Sequence, residues 1–220
     1  MKVGTDGVLL GAWTPLRPGD QRILDIGTGT GVIALMMAQR TESAYITGVD
    51  LESVEEAKGN AQRSPWADRV ALVQTAVQDF DPAQRFDLIV SNPPFFVDAL
   101  KCPDAGRTTA RHAVSLPFKD LIHAVLRLMN PDGHFTLVLP VEEAERFRHD
   151  ALLKLHATQI VDVHTTPRRA AKRRLMEFVA YDSTKPLPET RRTDLFIGTG
   201  EHETYTEEYR RLTGDFYLKF

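Results

Sequence analysis

Cysteine is nearly absent from this chain: Cys102 stands alone among 220 residues. A single thiol excludes an internal disulfide and any cysteine-based zinc cluster, and it suits a reducing cytoplasm. No apolar run reaches the length a membrane span requires, and no signal-peptide pattern follows Met1. The seven histidines show no metal-ligand spacing such as H-E-x-x-H, so no metal is expected. A P-loop and a nucleophile elbow are also missing. Charge of one sign does not dominate: 27 basic against 30 acidic residues leave −3, which carries no global nucleic-acid signature. Internal repeats and low-complexity stretches are absent.

What is present is a core-forming composition, 42% hydrophobic, at a length that suits one domain. Apolar runs alternate with helical patterns, which predicts an α/β, Rossmann-like sheet covered on both faces. Seven strands are expected, at 22–26, 45–51, 70–75, 86–91, 134–139, 159–164 and 175–181. Helices are expected at 32–40, 53–63, 116–129 and 142–155, and Asn130-Pro131-Asp132-Gly133 signals a turn. Only a basic loop separates the last two strands, so they form a hairpin and one strand runs antiparallel. A short helix over 8–13 has Thr5 or Asp6 as its expected cap. The expected organisation is one domain over 1–220: an N-terminal helix in 1–14, a core over 21–183, and a tail over 184–220 packed on the core. That tail is expected to carry a helix near 205–212.

Asn92-Pro93-Pro94-Phe95 carries the most chemical information. The amino group of a nucleobase or amide is planar, with its lone pair delocalised. Making it a nucleophile requires acceptors for its N–H groups. The Asn92 side-chain oxygen and the Pro93 carbonyl are such acceptors. Two prolines fix φ and keep the preceding residues extended, and the Phe95 ring offers a stacking surface. The plainer reading is a Pro-Pro turn at the end of a strand. The position after the fourth strand favours chemistry, because open α/β sheets bind ligands at the carboxyl ends of their strands.

Asp25-Ile26-Gly27-Thr28-Gly29-Thr30-Gly31 closes the first strand. Its third glycine arrives one residue early for the nicotinamide fingerprint, and an acid sits two residues before the first. The stretch resembles motif I of the class I S-adenosylmethionine-dependent methyltransferases. The resemblance implies a seven-stranded, mostly parallel sheet and S-adenosyl-L-methionine as cofactor. Asp25, Gly27, Gly29 and Gly31 would serve its methionine end. Asp50 would accept the ribose hydroxyls, and Gln78 and Asp79 would serve the adenine. Thr5 and Asn92 complete the expected cofactor contacts. Asp50 also has a plainer reading as a helix N-terminal acid.

Asn-Pro-Pro-Phe by itself leaves adenine N6, cytosine N4, guanine N2 and glutamine amide open as targets. The opening stretch from Met1-Lys2-Val3-Gly4-Thr5-Asp6 to Trp13 resembles that of the bacterial tRNA-valine adenine-N6 methyltransferases. So do Ser91 to Phe96, Arg111-His112-Ala113-Val114-Ser115-Leu116, and Tyr205 to Phe220. The resemblance implies methylation of adenosine 37 of a tRNA, with Asn92, Pro93, Pro94 and Phe95 as the catalytic group. In that family a short aromatic and basic lead precedes the opening stretch, and Met1 begins inside it, so a fragment or a misassigned start is expected. The cluster Arg168, Arg169, Lys172, Arg173 and Arg174, together with Lys101, Arg107 and Arg111 in the 97–113 stretch, is expected to contact RNA phosphates. A solvated charge run is the plainer reading. The expected partner is tRNA, the expected site of action the cytoplasm, and the expected state a monomer. Guanine-N2 or glutamine methylation, and a catalytically silent RNA-binding scaffold, are the competing functions.

Overall fold

The structure is a computed structural model that describes residues 4–94, 116–202 and 204–218. Its strands are β1 (Arg22–Ile26), β2 (Tyr45–Asp50), β3 (Val70–Gln74), β4 (Phe86–Ser91), β5 (Met129–Pro140), β6 (Leu155–His164), β7 (Arg173–Ala180) and β8 (Arg191–Phe196). Among the described residues six α-helices accompany them: α1 (Thr5–Trp13), α2 (Val32–Arg40), α3 (Glu55–Gln62), α4 (Phe118–Leu128), α5 (Val141–Asp150) and α6 (Glu207–Thr213). The strands form one sheet in the order β3-β2-β1-β4-β5-β7-β6-β8. β7 runs antiparallel to both β5 and β6, and the other pairs are parallel. The expected hairpin is therefore β6 and β7.

The sheet has eight strands, not the expected seven. β8 pairs in parallel with β6, from Gln159↔Arg191 to His164↔Phe196. It lies in the segment expected to be a tail, and its sequence hides it. Arg191, Arg192, Thr193 and Asp194 are exposed, and only Leu195 is buried. Charged side chains on an edge strand oppose further pairing, and they also erase the apolar signature of a strand. Asn130 to Gly133 do not form the expected turn; they lie inside β5, which runs parallel to β4 on both sides of them. They fall between the pairs Phe86↔Met129 and Leu88↔His134, where the extra residues are taken up as a bulge.

Alternation along the central strands divides the interior in two. Leu24 and Ile89 join Phe135, Phe147 and Phe178 under α4 and α5. Their neighbours Ile23 and Leu88 face the opposite side and join Leu9, Leu10, Met37 and Leu175 beneath α1 and α2. Phe147 meets Phe118 and Phe178 edge-on at 5.4 Å between ring centroids.

A buried ionic group joins the segment after α1 to the middle of the sheet. His134 is fully buried on β5. Its Nδ1 lies 2.8 Å from Glu177 Oε1 and its Nε2 3.1 Å from Asp20 Oδ2. Glu177 also receives Arg17 Nη2 at 2.7 Å and Thr158 Oγ1 at 2.6 Å. Burial alone would lower the His134 pKa, but hydrogen bonds to the two carboxylates outweigh it and the value rises. Burial would likewise raise Glu177, but His134 and Thr158 hold it down at about 2. A histidine raised above its unfolded value stabilises the fold fully below about pH 6.5 and loses that contribution as pH climbs through the folded value. Urea unfolding should therefore show stability falling above neutral pH. His134→Gln should lose about 3 kcal/mol at pH 6 and should lack that slope.

Candidate active site

Backbone hydrogen bonds lock the loop after β1. The amides of Gly27 and Thr28 donate to the Val49 carbonyl at 2.8 and 3.1 Å, and Gly31 donates to Thr28 at 2.8 Å. Gly27, Gly29 and Gly31 have φ of +76°, +55° and +80°, a region that other side chains rarely enter. Gly31 is the residue from which α2 begins. The Gly29 amide donates to Asp50 Oδ2 at 2.8 Å, and the Glu52 amide donates to Asp50 Oδ1 at 2.9 Å. On the far side of the loop, Asn60 Nδ2 donates to the Thr30 carbonyl at 2.9 Å. A Cβ at Gly48 would stand 2.7 Å from Thr28 Oγ1, so β2 needs a glycine where it passes under the loop.

The carboxyl ends of β1, β2 and β4 enclose a cleft lined by Ile26, Gly27, Asp50, Gln78, Ser91 and Pro93. Pro94, Leu51, Val77 and Leu116 complete its walls. Ser91 Oγ donates to the Ile26 carbonyl at 2.9 Å and so ties the end of β4 to the end of β1. Asn92 follows directly. Its side chain makes no hydrogen bond among the described residues, and its Nδ2 lies 3.8 Å from where a Cβ on Gly7 would stand. The first turn of α1 thus abuts the Asn-Pro-Pro segment.

Several expected site residues lie elsewhere. Asp25 does not reach the cleft: it is fully buried beneath the loop. Its Oδ2 accepts from Thr28 Oγ1 at 2.7 Å and from the Ala34 amide at 3.2 Å, while its Oδ1 has no partner among the described residues. Burial pushes its carboxyl up to about 7, against the two hydrogen bonds and with help from Asp50. Asp25 holds the loop in place from below. Asp79 is exposed in the turn closed by its own amide on Ala76, and it is Gln78 that lines the cleft. Thr5 is the first residue of α1, behind Gly4 as the cap, and lines a different cavity. Arg174 cannot contact RNA phosphates. It is 4% exposed, with Nε 2.7 Å from Asp162 Oδ1 and Nη1 on Glu145. Arg173 donates to Asp6 Oδ2 at 2.7 Å, while Arg168, Arg169 and Lys172 are exposed. Phe95, Lys101, Arg107 and Arg111 lie outside the described residues.

Sequence reading did not pick out Gly48 or Asn60, which shape the loop, or the tie made by Ser91. The only available signal was position: Ser91 is the last residue of a strand and stands next to the Asn-Pro-Pro run. Among the described residues no helix is long and apolar enough to cross a membrane, and no three His, Cys, Asp or Glu side chains are placed to hold a metal ion.

The cleft suits a nucleoside-bearing ligand. Gly27 leaves open space where a Cβ would stand, Asp50 presents a carboxylate at the rim, and Leu51 and Val77 offer apolar walls to a flat ring. Solved structures share the architecture. A protein from Agrobacterium tumefaciens described as a predicted O-methyltransferase matches at a TM-score of 0.72 and 18% identity, over 96% of both chains. The Burkholderia thailandensis 1,6-didemethyltoxoflavin-N1-methyltransferase, solved with S-adenosylhomocysteine bound, matches at 0.57 and 20% identity, over 81% of this chain and 80% of that one. The fold is that of a Rossmann-like methyltransferase.

The family model of the methyltransferase small domain matches residues 8–142. The tRNA1(Val) (adenine(37)-N6)-methyltransferase of Bacteroides thetaiotaomicron is 43% identical over 99% of this chain and 91% of its own length. That of Trichodesmium erythraeum is 44% identical, over 100% and 92%. The chain belongs to this methyltransferase family, alongside the tRNA1(Val) (adenine(37)-N6)-methyltransferases.

Asp25 yields a test of the loop. A buried carboxyl raised to about 7 from 3.8 favours the fold when protonated and opposes it as pH rises between those values. Asp25→Asn, which keeps an oxygen for Thr28 and Ala34, should be less sensitive to pH from 4 to 8 than wild type in thermal melts, and relatively more stable at pH 8. Asp25→Leu should lose cofactor affinity, measured by calorimetry.

Proposed function

We propose that this chain methylates the exocyclic N6 of an adenosine in tRNA, adenosine 37 of tRNA1(Val), using S-adenosyl-L-methionine. The end-to-end likeness to proteins of that name carries the reading. Pro93 and Pro94 line the cleft, and Asn92, directly before them, would supply the matching chemistry.

S-adenosyl-L-methionine, when bound, supplies an electrophilic methyl group on a sulfonium. The chain's own residues bind and orient. Each carboxylate oxygen of Asp50 already accepts one backbone amide and keeps further acceptor capacity for a ribose hydroxyl. Gln78 and the apolar walls suit the adenine ring of the cofactor. At the rim, Asn92 Oδ1 and the Pro93 carbonyl accept the two N6 hydrogens of the target base. As that nitrogen becomes tetrahedral, its lone pair is released from the purine π-system, and the bound cofactor would supply the methyl group and depart as its neutral thioether. The extra proton of the product is acidic and leaves to water, so no strong base is needed. The rate enhancement is one of orientation and fixed dipoles. An anticodon loop has partly unstacked bases, and extruding one costs a few kcal/mol. Stacking on Phe95 returns about 1–3 kcal/mol.

Asn92→Ala should lower turnover at least about a hundredfold while leaving cofactor affinity intact, and Asp50→Ala should chiefly weaken cofactor binding. Tritium transfer to unfractionated tRNA from a deletion strain, followed by nucleoside identification, should yield N6-methyladenosine. Label in guanosine or in protein would overturn the reading. Replacing Arg168, Arg169 and Lys172 by Ala should reduce the slope of log K against log salt by about 2, at roughly 0.7 per lost contact to single-stranded RNA. An unchanged slope would remove the β6–β7 loop from the interface.

A further inference from the structure

A second cavity opens on the same edge of the sheet as Asn92. β6 runs parallel to β4, and its carboxyl end brings Val163 and Thr165 to the cavity wall. The volume is about 520 Å³, within the range of small-molecule sites and larger than the cleft beside Asp50. Three tyrosines, Tyr205, Tyr209 and Tyr217, line it together with Lys172. Thr5 and Asp6 also line it, while Gly7, the next residue of α1, abuts Asn92. The cavity and the Asn-Pro-Pro segment therefore flank the same first turn of one helix.

The lining suits a nucleotide. Tyr205 is 38% exposed, and its ring lies 5.4 Å from that of Tyr209, tilted by 32°. Its position is set by the next residue, because Thr206 caps α6 by accepting from the Tyr209 amide. Thr165 Oγ1 is buried in this wall without a hydrogen-bond partner among the described residues. Such a group favours a ligand with a complementary polar edge. Asp6 neutralises Arg173 at 2.7 Å, whereas Lys172 makes no ion pair among the described residues and is exposed for a phosphate. A helix with its side chains is about 10 Å across. An RNA strand rising about 3.4 Å per stacked nucleotide crosses that width in about three nucleotides.

We propose that this cavity receives a second base of the RNA, within about three nucleotides of the methylated adenosine, stacked on Tyr205 with a backbone phosphate at Lys172. The inference rests on RNA being the substrate, and it adds a site that fixes which nucleotide enters the cleft. The target is then chosen by its distance along the strand from an anchored neighbour.

Steady-state kinetics with tRNA tests this. Tyr205→Ala should raise KM for tRNA about tenfold with kcat and cofactor affinity unchanged, and Tyr205→Phe should restore KM, because stacking needs the ring alone. Lys172→Ala, at an exposed position, should raise KM and reduce the salt slope by about 0.7. An anticodon stem-loop carrying a photoreactive thionucleoside near the target should crosslink to peptides containing Tyr205 or Tyr217. If the wild-type enzyme methylates tRNA while Tyr205→Ala and Lys172→Ala keep wild-type KM, the subsite is rejected and the RNA reading stands. If the wild type methylates no RNA at all, both fall together.

Discussion

Asp50 holds a backbone amide on each of its carboxylate oxygens, Gly29 on one side and Glu52 on the other. Through these bonds the carboxyl end of β2 and the glycine loop after β1 become one frame. The loop has little rigidity of its own, since three of its residues are glycines at positive φ. Asp25 holds the frame from below, through Thr28 and the start of α2, and Ser91 joins β4 to it through the Ile26 carbonyl. Orientation-based catalysis requires that such parts do not drift, because small displacements at the reacting atoms are costly. The rest of the site inherits its geometry from that one carboxylate.

The basic segment shows how local context redistributes charge. Arg174 is consumed inside the protein by Asp162 and Glu145, and Asp162 also binds Arg192 of the edge strand. This cluster joins α5, β6, β7 and β8, and removing one partner would leave a buried charge uncompensated. Arg173 is held by Asp6. Three cations remain exposed around the loop, enough for a local positive field on a chain of net charge −3.

Legibility followed burial. β1, α2 and β4 were readable to the residue, because β1 and β4 are apolar on both faces and α2 starts directly after the last loop glycine. Boundaries drifted where the pattern was ambiguous. Residues 116–129 read as one helix, yet Pro117 caps α4 and Met129 already belongs to β5. β8 stayed hidden because four of its six residues face solvent. In the site, position at the end of a strand drew attention to Asp50, which lines the cleft, and to Asn92, which directly precedes two prolines that line it. It could not tell which way a side chain points. Asp25 and Arg174 lie within strands, where polar groups are buried and paired internally, and their charge alone gave no sign of this. Gly48 and Asn60 act only by fitting the loop, which no local pattern announces.

The ion pair between Asp6 and Arg173 spans 167 residues of chain. α1 is synthesised before several of the surfaces it rests on, which include β5, β7 and α6. At elongation rates of about 5–20 residues per second, α6 follows α1 by roughly ten to forty seconds. During that interval the first helix must wait unseated, and a nascent polypeptide holding the glycine loop and the Asn-Pro-Pro run still lacks the wall behind Asn92. Synthesis order thus delays the seating of α1 until α6 has been translated.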